Sequence, residues 1–195
     1  SSDKNDNILE IGPGDGALTD ILRKRVGHIH TVEIDPLLIK HLKEKQYKNV
    51  AIHKGDILEW DIFQLPKGIK IIGNLPYYIS SPILFRFLAI KNWEHMVFMF
   101  QKELVDRIVS KHRSKAYGRI SVMCQVYSNV RVEFTVSQNV FQPQPDIESS
   151  VVSFFSKSGN IPDMIPFSAF VRQAFSQRRK KLKNNFPKVF QNGVL

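Results

Sequence analysis

An apolar strand that empties into a glycine-rich turn and restarts as a helix leaves a chain few folds to choose from. Here Asn7-Ile8-Leu9-Glu10-Ile11 runs straight into Gly12-Pro13-Gly14-Asp15-Gly16. A helix follows, with Thr19 and Asp20 in its first turns and Leu18, Ile21, Leu22 and Val26 on one face. Three glycines at alternate positions let the backbone turn tightly and meet a ligand with no side chain between. The spacing is G-x-G-x-G, not the G-x-G-x-x-G of dinucleotide sites. A pyrophosphate would want a cation or a bare helix N-terminus. This loop carries Glu10 and Asp15 instead, which favours an uncharged or cationic ligand. A glycine turn with no ligand is the plain alternative.

The strand–helix alternation continues. Ile29 to Asp35 reads as a second strand ending in acid, and Glu33 lies 17 positions after Gly16, about where a mononucleotide-binding unit grips a ribose diol. Asp35 suits instead the cap of a helix from Pro36 to Gln46, with Leu37, Leu38, Ile39 and Leu42 apolar. A third strand, Val50 to His53, leads to Gly55-Asp56-Ile57, where Asp56 can accept a hydrogen bond from an adenine amine. Glu10, Glu33 and Asp56 are expected to line up along one carboxyl edge, where α/β sheets bind ligands.

The next strand end carries Asn74-Leu75-Pro76-Tyr77-Tyr78-Ile79-Ser80-Ser81-Pro82. Proline holds the preceding residue extended, so the Leu75 carbonyl is expected to project beside the Asn74 amide. Two acceptors with an aromatic ring two residues on suit a planar group bearing an amine, such as a nucleobase. The alternative is an ordinary strand-to-helix turn, with Asn and Pro as turn formers.

Composition narrows the setting. At 195 residues one sizeable core is possible, and no apolar run approaches the ~20 residues of a membrane span. No secretion signal stands at the start. One cysteine, Cys124, excludes an internal disulfide framework, gives no metal cluster, and fits a cytoplasmic protein as a small buried hydrophobe. The net charge of +10 calls for a polyanionic partner, RNA or DNA before membrane.

Downstream, helices are expected at Ile83 to Leu88, Gln101 to Val109 and Ile120 to Val126. Met96 to Phe100, fully apolar, reads as a central strand, and Val130 to Val136 with Ser149 to Phe155 as an antiparallel edge hairpin. Between the hairpin strands, Phe141-Gln142-Pro143-Gln144-Pro145 is an extended loop, with Phe141 either a core anchor or a second stacking face. Lys111 to Lys115 is either a solvated charge run or an RNA contact. A last helix, Phe167 to Lys183, ends in Arg178-Arg179-Lys180-Lys181. That basic end is either an RNA-phosphate clamp or a solvated terminus complementing the helix dipole.

Taken together, Glu10 to Thr19, Val32 to Asp35, Gly55-Asp56 and Asn74 to Tyr77 resemble the successive motifs of S-adenosylmethionine-dependent adenine-N6 methyltransferases. More narrowly, Asn74 to Pro82, Phe100 to Glu103, Tyr117 to Met123 and Ala174 to Lys180 resemble the KsgA-type small-subunit ribosomal RNA adenine dimethyltransferases, over about residues 7 to 186. The resemblance implies an α/β fold: a Rossmann-like class I methyltransferase sheet, mostly parallel with an antiparallel edge hairpin, then the start of a small helical domain. The division expected is 1–157, catalytic, and 158–195, a partial helical RNA-contacting domain. It implies S-adenosylmethionine bound by Glu10, Gly12, Gly14, Glu33, Ile34, Asp56, Ile57 and Asn74, with the glycine loop on the methionine part, Glu33 on the ribose and Asp56 on the adenine. The acidic loop agrees, since this cofactor carries a sulfonium and an ammonium and no phosphate.

It further implies a catalytic set of Asn74, Leu75, Pro76, Tyr77 and Phe141, RNA contacts from Arg113, Lys115, Arg178, Arg179, Lys180 and Lys181, and a monomer that uses no metal and modifies immature small-subunit RNA in the cytoplasm. Tyr78 stands where the family usually has Asn, and Asp146 where it has a basic residue; both departures are expected to touch the substrate side. An upstream Gln-x-Phe-Leu segment that covers the cofactor in the family is missing before Asn7, and Leu195 falls short of a full helical domain, so a fragment is expected. The rival activities are a large-subunit methylase of the macrolide-resistance type and a non-catalytic assembly factor. The Phe100 to Glu103 and Phe175 to Lys180 segments oppose the first. The intact Glu10, Glu33, Asp56 and Asn74 set opposes the second. DNA methylation is disfavoured because nothing here reads a duplex.

Overall fold

Strands that run the same way cannot be joined by tight turns, so each must be returned by a crossing segment. The computed structural model, which describes residues 3–90, 92–140, 147–177 and 180–186, is built this way through its first five strands. β1 (Asn7–Ile11), α1 (Ala17–Leu22), β2 (His28–Glu33), α2 (Pro36–Glu44) and β3 (Val50–Lys54) wind in one direction. β4 (Ile69–Asn74), α3 (Ser80–Leu88) and β5 (Trp93–Gln101) wind in the other. After α4 (Lys102–Ile108) and α5 (Arg119–Tyr127), β6 (Ser128–Val136) and β7 (Ser149–Ser156) add an antiparallel hairpin, with β7 against β5 and β6 outermost. The sheet order is β3-β2-β1-β4-β5-β7-β6, and the winding reverses between β1 and β4. A reversal of this kind opens a crevice at the carboxyl ends of the strands, where such sheets bind ligands.

The core follows from strand alternation. Met96, Phe98 and Phe100 of β5 are fully buried, as is Phe154 of β7, and the rings of Phe98, Phe100 and Phe154 lie 5.6–6.3 Å apart. Cys124 is buried among them, and burial pushes its thiol well above the ordinary value, so it stays protonated and inert. Among the described residues no helix is long and apolar enough to cross a membrane.

Three expected elements differ. α1 stops at Leu22, and its buried residue is Thr19, while Ile21 is 53% exposed. The reason lies beneath it: Glu10 is buried in β1 and takes the Thr19 hydroxyl as donor. α2 ends at Glu44, because Gln46 turns to φ 49°, and it buries Ile39 and Leu42 rather than Leu37. The last helix, α6, is Met164–Ala174 and does not reach Lys183. Pro166 is accommodated in its first turn, where no N–H is missed. At its other end the Asn185 amide donates to the Ala174 carbonyl at 2.5 Å, and a 3-10 turn, Leu182–Asn185, folds back. Lys180 and Lys181 therefore lie beyond the helix. α6 packs on α5 through Tyr127 against Phe167 and through buried Val171.

Candidate active site

The glycine loop leaves β1 and crosses to β2, with the Gly12 N–H donating to the Val32 carbonyl at 3.0 Å. Gly12 and Gly14 have φ near +60°, and a Cβ on either would meet nothing within 4 Å. They are needed for backbone conformation, and their outer side is open to a ligand. Gly16 also has a positive φ, +88°, and it alone of the three is crowded: a Cβ there would stand 2.8 Å from Leu42 Cδ2 of α2. Asp15 accepts from the Ala17 N–H at the start of α1.

The three acids are not level. Glu10 pairs with Thr31, two residues before Glu33, and Glu33 pairs with Lys54, two residues before Asp56. Each acid thus sits two residues further out than the last, which keeps Glu10, Thr31 and Glu33 on one face. Glu33, at the end of β2, is 6% exposed and organises the crevice. Its Oε1 accepts from the N–H of Ile34 at 2.8 Å and of Asp35 at 3.0 Å, and its Oε2 accepts from Gly14 N–H at 3.3 Å. Asp35 caps α2 through Leu37 N–H, as its position predicts. Asp56 Oδ1 accepts from Leu58 N–H at 2.8 Å, which presents the other oxygen outward.

Glu33, Asp56, Gly12, Ile34 and Ile57 line one cavity of about 190 Å³. Its remaining wall comes from the turn after β4: Pro76, Tyr78 and Ile79. Ile11, Val32 and Ile83 form an apolar floor. A cavity with flat apolar sides, an acid at the rim and a second acid on the loop fits a nucleoside, the carboxylates taking hydroxyl and amine hydrogens.

Glu10 lies deeper, 2% exposed, with Thr19 Oγ1 donating to it at 2.6 Å. Burial pushes its carboxyl above the ordinary glutamate range; the Thr19 hydroxyl opposes this and the like charge of Asp20 adds to it. A buried carboxylate in this state gains from a positive group nearby, as the sulfonium and ammonium of S-adenosylmethionine would be. The residues present therefore fit that cofactor.

The sign of the effect is testable. A carboxyl raised in the folded state costs stability as pH rises through its native pKa, because the unfolded chain ionises first. Glu10→Gln should therefore raise the melting temperature of the ligand-free protein, by more at pH 8 than at pH 5, while weakening S-adenosylmethionine binding. Thermal melts across that range with calorimetric titration check both halves.

On the other side of the turn, Asn74 is the exposed last residue of β4, and Leu75 is buried at 2%. Pro76 is extended at ψ 132°, and Tyr77–Ile79 form a 3-10 turn that leads into α3. Tyr77 and Tyr78 part company here. The Tyr77 hydroxyl meets Ser149 Oγ at 3.0 Å, whereas Tyr78 stands in the cavity wall. Thr19, which donates to Glu10, and Ser149, which meets Tyr77, were given no site role by the sequence pattern. Phe141 and Asp146 lie outside the described residues. Their loop nonetheless starts and ends at this edge, since Val136 pairs with Ser149 and Ser149 with Gln101.

No histidine serves the crevice. His30 and His53, 3.1 Å apart, lie on the opposite face of the sheet from Glu10, and burial lowers both pKa values. Among the described residues no group of His, Cys, Asp or Glu is arranged to hold a metal ion. Arg113 and Lys115 are exposed in the loop between α4 and α5, and Lys180 and Lys181 are exposed after α6; Arg178 and Arg179 lie outside the described residues.

Comparison with known proteins agrees with this geometry. The family model "Ribosomal RNA adenine dimethylase" matches residues 2–195. A "Ribosomal RNA small subunit methyltransferase A" of Malacoplasma penetrans is 40% identical over 190 residues, covering 94% of this chain and 70% of that protein. The protein of that name from Coxiella burnetii is 40% identical over 194 residues, covering 95% and 75%. Among solved structures, a dimethyladenosine transferase from Plasmodium falciparum superposes with a TM-score of 0.85 at 27% identity, covering 98% of this chain and 69% of that one. The 23S rRNA methyltransferase ErmE shares the fold, with a TM-score of 0.77 at 23% identity over 98% and 78%. With its motifs in order along one sheet edge and a family model spanning residues 2–195, this chain belongs to the ribosomal RNA adenine dimethylase family.

Proposed function

We propose that this chain transfers methyl groups from S-adenosylmethionine to N6 of adenines in small-subunit ribosomal RNA, dimethylating adjacent loop adenines during ribosome assembly in the cytoplasm, and that it acts as a monomer. One observation carries the reading: Pro76, within the Asn74–Tyr77 turn, lines the cavity that holds Glu33 and Asp56, so an amine held by that turn would lie next to whatever fills the cavity.

The glycine loop, Glu33, Ile34, Asp56 and Ile57 hold the cofactor, and Glu10 supplies negative charge beneath it. Bound there, S-adenosylmethionine would supply a methyl group on a sulfonium for displacement by an amine nitrogen, the C–S bond breaking and the amine proton passing to water. Asn74 Oδ1 and the Leu75 carbonyl accept the two N6 hydrogens, which draws the nitrogen out of conjugation and localises its lone pair. Pro76 keeps that carbonyl turned outward, while Tyr77 and Phe141 stack the base. The rate then comes from positioning and electrostatics, with no base of shifted pKa. Unpaired adenines suit this site, since unstacking them costs least.

Arg113, Lys115 and Arg178 to Lys181 contact RNA phosphates in this reading, and residues 158–195 begin a helical RNA-contacting unit after the catalytic 1–157. The test is methyl transfer from labelled S-adenosylmethionine to immature small subunits, with large subunits and DNA as controls. Label in dimethyladenine of small-subunit RNA is the expected result. Label confined to large-subunit RNA, or none despite cofactor binding, would overturn it.

A further inference from the structure

We propose that Tyr78 belongs to the cofactor site, its ring closing over the adenosine half of S-adenosylmethionine opposite Ile34, so that Tyr77 and Tyr78 serve two different ligands. The inference rests on the activity proposed above and adds a residue to its binding site.

The backbone sends the two rings apart. Successive side chains of a 3-10 turn point about a third of a turn from one another, so Tyr77 and Tyr78 leave the backbone in different directions. Tyr77 is tied to Ser149 at the start of β7, on the hairpin side, and is 38% exposed. Tyr78 stands in the same cavity wall as Pro76 and Ile79, in the cavity that Glu33 and Asp56 also line, and is 84% exposed. Ile34, on the β2 side of that cavity, is 63% exposed. A branched aliphatic chain and an aromatic ring thus stand open at the rim of a cavity whose other polar groups are carboxylates.

Size points the same way. The enclosed space is about 190 Å³, whereas pockets that hold ligands of cofactor size run to roughly 300–1,000 Å³. A ligand of that size would reach past the rim, where Tyr78 and Ile34 are large exposed side chains. A purine offers a π face on each side, and a tyrosine can bury its ring against one while its hydroxyl stays in water.

Calorimetric titration of S-adenosylhomocysteine into the wild type, Tyr78→Ala and Tyr78→Phe tests this, paired with KM for immature small subunits. Tyr78→Ala should weaken S-adenosylhomocysteine by about tenfold, within what one base–aromatic stack contributes. Tyr78→Phe, which keeps the ring, should restore the affinity, and KM for the subunit should move far less than the cofactor's. In Tyr78→Trp, the added emission should shift when S-adenosylhomocysteine saturates the site. Unchanged affinity in Tyr78→Ala, a silent Tyr78→Trp signal, or an effect confined to subunit KM would overturn the inference and leave the activity standing. A wild type that binds no S-adenosylhomocysteine would overturn the activity itself.

Discussion

In Asn74→Ala, methyl transfer should fall by about a thousandfold in single-turnover assays, the upper range for removing one preorganised polar contact to a reacting group. S-adenosylhomocysteine binding should stay within about tenfold of wild type, the worth of one hydrogen bond. The separation follows from where the residue sits. Asn74 ends β4 with its side chain exposed, so truncation opens no cavity in the core and leaves the Glu33 and Asp56 side untouched. What it removes is one of two acceptors for the N6 hydrogens. The Leu75 carbonyl remains, but a single acceptor does not draw the nitrogen out of conjugation. Turnover retained at a tenth of wild type or more would show that the amine is activated some other way.

Glu33→Ala should weaken S-adenosylhomocysteine by about a hundredfold or more, as two hydrogen bonds to a charged group would. The same change takes the acceptor from three backbone N–H groups, of Gly14, Ile34 and Asp35. These bonds are part-buried, so water can replace some of them and the loss is on the order of 1 kcal/mol; the variant should also melt lower. Glu33→Gln separates the two roles. Its oxygen can still accept from Ile34 and Asp35, but its NH2 then faces the Gly14 N–H, donor against donor. Stability should largely return while affinity recovers only in part. Calorimetry and thermal melts on both variants read this, and Glu33→Ala with wild-type affinity would remove Glu33 from the site.

Both predictions rest on motifs that could be read along the chain, because each records a demand of the local backbone. Gly12 and Gly14 adopt a positive φ that other residues resist. Asp35 before Pro36 is a helix start wherever it stands, and it caps α2 here. Pro76 must end a strand and hold Leu75 extended. The alternation of strand and helix, with acids at Glu33 and Asp56, likewise follows from periods of two and 3.6 residues that one sequence displays unaided.

What the tertiary structure alone decided concerns partners distant in sequence. Thr19 is buried in place of Ile21 because Glu10, in another element, needs a donor. Gly16, already at φ +88°, is further crowded by Leu42 of α2. α6 ends at Ala174 because Asn185 returns to cap it, a choice its apolar spacing does not carry. Tyr77 turns to Ser149, 72 positions away, while Tyr78 lines the cavity that holds Glu33 and Asp56. A local pattern states what the backbone must do at one place; which side chain then meets which ligand depends on what the sheet brings alongside, and that is settled only when β1, β4 and β7 lie at one edge.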